Sequence, residues 1–233
     1  MPDKTDGIDH QLTALLNRIR AAEERCGRAP DSVELLAVSK RHPVAAIRAA
    51  YAAGQTAFGE NYLQEAVEKQ DLLRDLPLTW HFIGAVQSNK TRDAAARFDW
   101  IHTVDRPKIA RRLGEQRPES LPPLNICIQV NVSGETQKAG CAPEEAGAIA
   151  NTVAEQPRLR LRGLMTIPAP SDDFAAQRQP FARLRELFDE LVAAGHSLDT
   201  LSMGMTADLE AAVAEGATVV RIGTALFGPR NPA

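Results

Sequence analysis

The sequence predicts a single (β/α)₈ barrel, the TIM-barrel architecture, spanning residues 1–233 with one extra helix before the first strand. Eight short apolar runs recur along the chain, and segments with helical spacing separate them, which implies parallel strands joined by helical crossovers. The length of 233 residues is also ordinary for one such barrel. A doubly wound open sheet is the structural alternative, but no G-x-G-x-x-G motif follows the first strand.

The first predicted element is the extra helix, over residues 8–26. Ile8, Leu12, Leu15 and Ile19 recur there at the spacing that places them on one helical face. The strands are predicted from the apolar runs at residues 33–39, 56–58, 79–83, 100–104, 124–132, 161–167, 200–203 and 218–222. Their short lengths and their alternation with helical segments favour a parallel sheet.

The helices between the strands are predicted from residues that begin or end helices. Pro43 suits the first turn of a helix, and Ser88 suits the cap of the helix after the third strand. Gly195 and Gly216 suit the ends of the helices after the sixth and seventh strands. The predicted helices lie after Pro43, at 62–73, after Ser88, from 105–107, from 143–145, at 173–194 and at 207–215. Each strand is therefore joined to the next by a helix.

The composition disfavours several classes of function. Hydrophobic residues make up 44% and charged residues 24% of the chain, and the net charge is −3 at pH 7. The chain is not basic enough to follow a nucleic-acid backbone, and no apolar run reaches the roughly 18 residues of a membrane span. Residues 1–10 are polar, and the three cysteines match no zinc-binding spacing. We expect a cytoplasmic protein that binds neither nucleic acid nor membrane.

Lys40 is the first candidate functional residue. The active groups of an α/β barrel lie at the carboxyl ends of its strands, and Lys40 follows the first strand directly. A lysine at the barrel mouth is partly desolvated, which lowers the pKa of its amine and favours a neutral nucleophile for a carbonyl carbon. Its position alone is also compatible with a solvated lysine at a strand end.

The loops after the last two strands have the composition of a phosphate site. Barrels often bind phosphate there, and these loops contain Ser202, Gly204, Thr206, Gly223 and Thr224. Glycine lets backbone amides approach an anion, hydroxyls add donors, and a following helix adds a favourable dipole. The glycines also suit turns without a special function. A nucleophilic lysine beside a phosphate site predicts a phosphorylated aldehyde, either pyridoxal 5′-phosphate (PLP) or the substrate of an aldolase.

Five motifs, in the same order along the chain, resemble those of the pyridoxal phosphate homeostasis protein family. They are LLAVSK at 35–40, FGENYLQE at 58–65, WHFIG with QSNK at 80–90, LSMGM at 201–205 and VRIGTALFG at 220–228. The resemblance extends from about residue 9 to about residue 230. It implies the barrel of the alanine racemase N-terminal domain, with PLP as the cofactor.

The resemblance also implies roles for individual residues. Lys40 would form the Schiff base with PLP, and Arg221 would face the pyridine nitrogen, disfavouring its protonation and so weakening the ring as an electron sink. The other residues implied to bind the cofactor are Asn61, His81, Ser202, Met203, Gly223 and Thr224, of which Ser202, Gly223 and Thr224 would hold the phosphate. His81 is also compatible with a hydrogen-bonded histidine of the barrel core. Lys138 matches a further family lysine near the site.

The expected function is a PLP carrier that buffers the cofactor and delivers it to apo PLP-dependent enzymes, without catalytic residues or a metal. A racemase-like PLP enzyme is the alternative. The resemblance to alanine racemase covers only its barrel, and the second domain of that enzyme supplies a tyrosine acid/base. Racemisation needs a second proton-transfer group besides Lys40, and the only tyrosines are Tyr51 and Tyr62. We therefore expect a carrier, and most simply a monomer.

Overall fold

The computed structural model describes residues 7–134 and 139–229. Within them, eight parallel strands follow one another around a closed barrel, and the first strand pairs with the last, so the predicted fold class is confirmed. The strands are β1 (Glu34–Val38), β2 (Ala57–Glu60), β3 (Thr79–Phe82), β4 (Trp100–Val104), β5 (Leu124–Gln129), β6 (Leu159–Met165), β7 (Thr200–Ser202) and β8 (Val219–Ile222). The helices are α1 (Ile8–Arg25), α2 (Val44–Ala52), α3 (Leu63–Leu72), α4 (Thr91–Arg97), α5 (Pro107–Gln116), α6 (Ala146–Ala154), α7 (Phe174–Ala193), α8 (Leu209–Ala214) and α9 (Thr224–Phe227).

The extra N-terminal helix α1 packs against α2, α8 and α9. Its face of Ile8, Leu12, Leu15 and Ile19 is buried, as the spacing predicts. Burial of such side chains contributes roughly 1.5–3 kcal/mol each to folding. The helix therefore joins the helical layer on the side of the barrel where the first and last strands meet.

Strand alternation divides the apolar side chains between two cores. The larger core lies between the strands and the helices, and includes the fully buried Phe58, Ile101 and Ile126. The smaller core consists of Leu36, Val38, Ala57, Ile83 and Val219, which face the barrel interior from β1, β2, β8 and the residue after β3. The described interior also holds the buried polar side chains of His81, His102, Ser202 and Arg221, which contact one another.

Some element boundaries differ from the prediction. Ser88 begins a 3₁₀ turn, and its carbonyl accepts a hydrogen bond from Thr91 Oγ1, so its side chain does not cap α4. Pro43 is the residue before α2 and not part of its first turn. β5 ends at Gln129 and not at Val132, because the next residue pairs with the chain returning after residue 139. None of these differences changes the order of the elements.

The described helices include none that is long and apolar enough to cross a membrane. Among the described residues, no group of three His, Cys, Asp or Glu side chains is arranged to hold a metal ion. Cys26 is an exposed free thiol, whereas Cys127 and Cys141 are buried free thiols. Burial raises the pKa of the Cys127 thiol to about 12, so this thiol stays protonated at neutral pH and serves as a small core side chain.

Candidate functional site

A cavity of about 320 Å³ lies at the carboxyl ends of the strands and is called the mouth cavity below. Five of the residues predicted for the site line it, because the closed strand order places β8 between β7 and β1. Its lining residues are Val38, Lys40, Asn61, Ile83, Ile167, Met205, Thr206, Ala207, Arg221, Gly223 and Thr224. The mouth cavity is therefore the candidate functional site.

A second cavity, of about 270 Å³, shares Asn61 with the mouth cavity. Its lining comes from the start of α3 and from the chain between residues 82 and 94, and includes Tyr62, Gln87 and Lys90. Neither of the loops that follow β7 and β8 contributes to it. The mouth cavity combines an amine, a guanidinium and the hydroxyls of those loops, so it is the better site for a phosphorylated ligand.

Lys40 lies in the turn between β1 and α2. The preceding Ser39 is buried, and Lys40 itself is half-buried in the cavity wall. The following Arg41 has a φ of 61°, in the left-handed region that residues other than glycine rarely adopt. The chain thus changes direction immediately after Lys40.

Asn61 reaches the cavity from the end of β2. A Cβ atom at Gly84 would lie 2.1 Å from the Asn61 carbonyl oxygen, so only glycine allows the end of β3 to approach Asn61 this closely. The Asn61 side-chain oxygen Oδ1 is buried and has no hydrogen-bond partner in the described part of the chain. A buried acceptor without a partner is costly, which points to a donor supplied by a ligand or by water.

Arg221 is a buried cation at the floor of the cavity. Its Nη1 donates to Ser202 Oγ at 2.9 Å, and its Nη2 donates to the Thr166 carbonyl oxygen at 2.8 Å. Burial lowers the pKa of Arg221 to about 10, and nearby Asp208 opposes that shift, so the guanidinium remains charged at neutral pH. Its two hydrogen bonds fix the direction in which this charge faces.

A chain of polar side chains continues from Arg221 into the barrel interior. Ser202 Oγ lies 2.8 Å from His102 Nδ1, and His102 Nε2 lies 2.9 Å from His81 Nδ1. Desolvation lowers the pKa of His81 to about 3 and that of His102 well below its usual value, so both rings are neutral at pH 7. The arrangement that leaves fewest unpaired groups has Ser202 donating to His102 and His102 donating to His81.

Three predicted site residues lie beneath the cavity and not in its lining. The hydroxyl of Ser202 is held by Arg221 and His102, and the ring of His81 is buried against Trp100 with centroids 5.3 Å apart. The side chain of Met203 is fully buried in the larger core, and the residues that follow it line the cavity instead. Lys138 lies outside the described residues.

The loops after β7 and β8 present backbone amides and hydroxyls to the mouth cavity. Gly223 and Thr224 line the cavity at the start of α9, whose first amides have no intrahelical acceptor. Thr206 and Ala207 line it from the neighbouring loop. In that loop, Gly204 has a φ of 94°, and a Cβ atom there would lie 2.5 Å from Ala212 Cβ. Glycine is thus required for the path of this loop.

Several residues that form or support the site were not predicted from the sequence. His102 lies between Trp100 and Val104 on β4, and its alternation with the buried Ile101 indicates an inward-facing side chain. The alternation of the strand could therefore have predicted that His102 faces the barrel interior. Ile167 and Met205 line the cavity as apolar residues, and no polar signal could have identified them.

Comparisons with known proteins agree with this geometry. The family model described as alanine racemase, N-terminal domain, matches residues 10–231. The pyridoxal phosphate homeostasis protein of Pseudomonas aeruginosa is 61% identical over 224 residues, which cover 96% of this chain and 96% of that protein. Nearly the whole chain is therefore shared with this relative.

Two solved structures show the same barrel. PipY of Synechococcus elongatus, solved with PLP bound, is 43% identical with a TM-score of 0.82, covering 95% of this chain and 100% of that one. Alanine racemase from Corynebacterium glutamicum has a TM-score of 0.73 at 18% identity, covering 97% of this chain and 62% of that one, which shows the fold alone. The chain belongs to the pyridoxal phosphate homeostasis protein family and has the fold of the alanine racemase N-terminal domain.

Proposed function

We propose that this protein binds PLP in the mouth cavity, holds it covalently on Lys40, and acts as a carrier in PLP homeostasis. The observation that carries the proposal is that Lys40, Arg221 and the loop at Gly223 and Thr224 all line one cavity. Membership of the family and the PLP-bound structure of PipY support the same ligand.

The residues present fit PLP. The cavity volume of about 320 Å³ lies in the range of small-ligand sites. Gly223 and Thr224 would hold the phosphate, and the unpaired oxygen of Asn61 offers an acceptor to the ring substituents. When bound, PLP supplies an aldehyde whose carbon forms a double bond to the Lys40 nitrogen while its oxygen leaves as water.

Arg221 would limit the chemistry of the bound cofactor. Hydrogen bonds to Ser202 and to the Thr166 carbonyl oxygen hold its guanidinium in one position, and Arg221 lines the cavity. A cation beside the ring nitrogen disfavours protonation of that nitrogen, which weakens the withdrawal of electrons from a bound amino acid. This electrostatic arrangement favours storage of the cofactor over catalysis.

The placement of the tyrosines also favours a carrier over a racemase. Tyr51 lies on α2 and is half-buried, and Tyr62 precedes α3 with the Arg41 guanidinium 5.5 Å from its ring centroid. Neither tyrosine is among the described residues that line the mouth cavity. Racemisation needs a second proton-transfer group opposite Lys40, and these side chains do not supply it.

The covalent attachment is tested by reduction. We expect the purified protein with PLP to be yellow, and borohydride to fix the label on Lys40, as located by mass spectrometry of peptides. Lys69 and Lys90 are internal controls in the same digest and should remain unlabelled. Label on another lysine, or none at all, would refute the proposed attachment. A colourless protein would favour the aldolase hypothesis.

The carrier role is tested by turnover. A panel of D- and L-amino acids added to the PLP-loaded protein should show no racemisation, transamination or decarboxylation at enzymatic rates. Turnover above about 1 s⁻¹, near the low end for enzymes, would overturn the carrier role, and racemisation at that rate would support the racemase-like alternative. Chiral chromatography of the amino acids measures racemisation, and chromatography of the keto acids and amines formed measures transamination and decarboxylation.

We propose further that the carrier acts in the cytoplasm as a monomer and delivers PLP to apo PLP-dependent enzymes. Three free cysteine thiols, two of them buried, are compatible with a reducing compartment. The apolar residues Ile167 and Met205 at the cavity rim are 40% and 39% exposed, which leaves the mouth open to an approaching acceptor.

A further inference from the structure

A buried ionic cluster lies beside the turn that carries Lys40. It consists of Glu60, Glu65 and Lys69 and is called the Glu60–Lys69–Glu65 cluster below. Lys69 Nζ lies 2.7 Å from Glu60 Oε1 and 2.6 Å from Glu65 Oε1. The exposed fractions of the Lys69 and Glu60 side chains are only 7% and 0%, whereas Glu65, at the edge of the cluster, is 26% exposed. Glu60 Oε2 has no hydrogen-bond partner in the described part of the chain. Buried charges of this kind stabilise a fold poorly compared with apolar side chains, so another role for them is indicated.

The cluster binds the backbone on both sides of Lys40. Before it, the Ser39 carbonyl oxygen accepts a hydrogen bond from Lys69 Nζ at 2.7 Å, and Ser39 Oγ donates to Glu60 Oε1 at 2.7 Å. After it, the Arg41 amide donates to Glu65 Oε1 at 2.6 Å. The amine-bearing residue is thus held between two anchored neighbours.

Glu65 contacts the one residue of this turn, Arg41, whose backbone has an unfavourable conformation. Arg41 has a φ of 61°, where the side chain of a residue other than glycine crowds its own backbone. Without a partner for its amide, Arg41 would be expected to relax toward a more common conformation, and Lys40 would move with it. The hydrogen bond from the Arg41 amide to Glu65 opposes that relaxation.

We propose that the Glu60–Lys69–Glu65 cluster positions the Lys40 amine for attack on the PLP aldehyde. Within the cluster, Glu65 is the positioning residue, because it holds the amide of Arg41, the residue after Lys40. This inference rests on the proposed function. In the step concerned, the amine nitrogen forms a double bond to the aldehyde carbon, and the aldehyde oxygen leaves as water. The rate of such a step depends steeply on alignment, and a misplacement of about 1 Å can cost about a hundredfold.

The experiment separates attachment from binding. Full-length wild type, Glu65→Ala and Glu65→Gln are mixed with PLP, and the rate of attachment is followed by visible absorbance. Binding of pyridoxine 5′-phosphate, which has an alcohol in place of the aldehyde, is measured by calorimetry on the same proteins. The matched control is Glu68→Gln, because Glu68 lies on the same helix, is exposed, and accepts a hydrogen bond from Gln64 on the side of the helix open to solvent.

We expect Glu65→Ala to attach PLP between about tenfold and about a hundredfold more slowly than wild type. Glu65→Gln should attach nearly as fast as wild type, because its amide oxygen still accepts from the Arg41 amide. Pyridoxine 5′-phosphate should bind all four proteins equally. Glu65→Asp retains the charge beside Lys69 but shortens the side chain, so it should be slow as well, which provides a second test if the alanine variant does not fold.

Two results would overturn the positioning role alone. One is attachment at the wild-type rate in both Glu65→Ala and Glu65→Asp. The other is a parallel loss of PLP attachment and pyridoxine 5′-phosphate binding, which would show that the cluster supports the barrel as a whole. Failure of the wild type to attach PLP would instead overturn the proposed function, and the positioning role with it.

Discussion

Lys40→Ala is expected to abolish covalent attachment of PLP while leaving the cofactor bound in the mouth cavity. The residues proposed to bind the phosphate, Gly223 and Thr224, and the cation Arg221 come from the last strand and the loop after it, whereas Lys40 follows the first strand. The variant should therefore bind PLP with the affinity that it shows for pyridoxine 5′-phosphate. Equilibrium dialysis measures both affinities, and mass spectrometry after borohydride measures the attachment.

The matched control for this prediction is Lys108→Ala, since Lys108 is an exposed lysine on α5. It should attach PLP as the wild type does. Persistent borohydride-stable label in Lys40→Ala would show that another lysine carries the cofactor. Equal PLP affinity in wild type and Lys40→Ala would show that the covalent link adds little to binding, and retention would then depend on the phosphate contacts.

Acid is expected to destabilise the apo-protein strongly because His81 and His102 are buried as neutral rings. Desolvation lowers the pKa of His81 to about 3, whereas in the unfolded chain the ring titrates near its usual value of 6.5. Above pH 6.5 neither the folded nor the unfolded chain protonates this ring, so His81 adds no pH dependence to the free energy of unfolding there. Below pH 6.5 the unfolded state gains a proton that the folded state rejects, and the free energy of unfolding falls by about 1.4 kcal/mol per pH unit for each such histidine.

For His81 this loss continues as the pH falls from 6.5 to about 3. Urea unfolding at pH 7, 6 and 5 measures it, and His81→Asn should show a slope shallower than wild type by about 1.4 kcal/mol per pH unit. His10→Asn is the matched control, because His10 is exposed on α1. Equal slopes in wild type and His81→Asn would contradict the assignment of a neutral buried ring.

Much of the fold follows from local patterns. The alternation of short apolar runs with helical segments predicted eight strands in the correct order, and the strand β4 was predicted with its observed bounds. A helical face or a strand is a repeat of a few residues, so neighbouring residues contain the information. The 3₁₀ turn at Ser88 was not predicted, because such turns are frequent at the starts of α-helices and a serine there also suits a helix cap.

Part of the site was predictable for a related reason. Parallel strands place their carboxyl ends together, so residues that follow them, such as Lys40, Asn61 and Thr224, were expected around one mouth, and they line one cavity. Ser202 shows the limit of this argument. It ends its strand, but its hydroxyl is already paired with His102 and Arg221, and the structure places it under the cavity.

By itself the sequence determined the barrel, the amine at the first strand and the glycine-containing loops of the last two strands. Only the tertiary structure decided which polar groups face the cavity and which form hydrogen bonds with one another beneath it. His102 pairs with Ser202 across 100 positions, and Lys69 pairs with Ser39 across 30. Whether a buried polar atom is satisfied depends on such distant partners, because a hydrogen bond requires atoms in contact and no local pattern specifies which segments will meet.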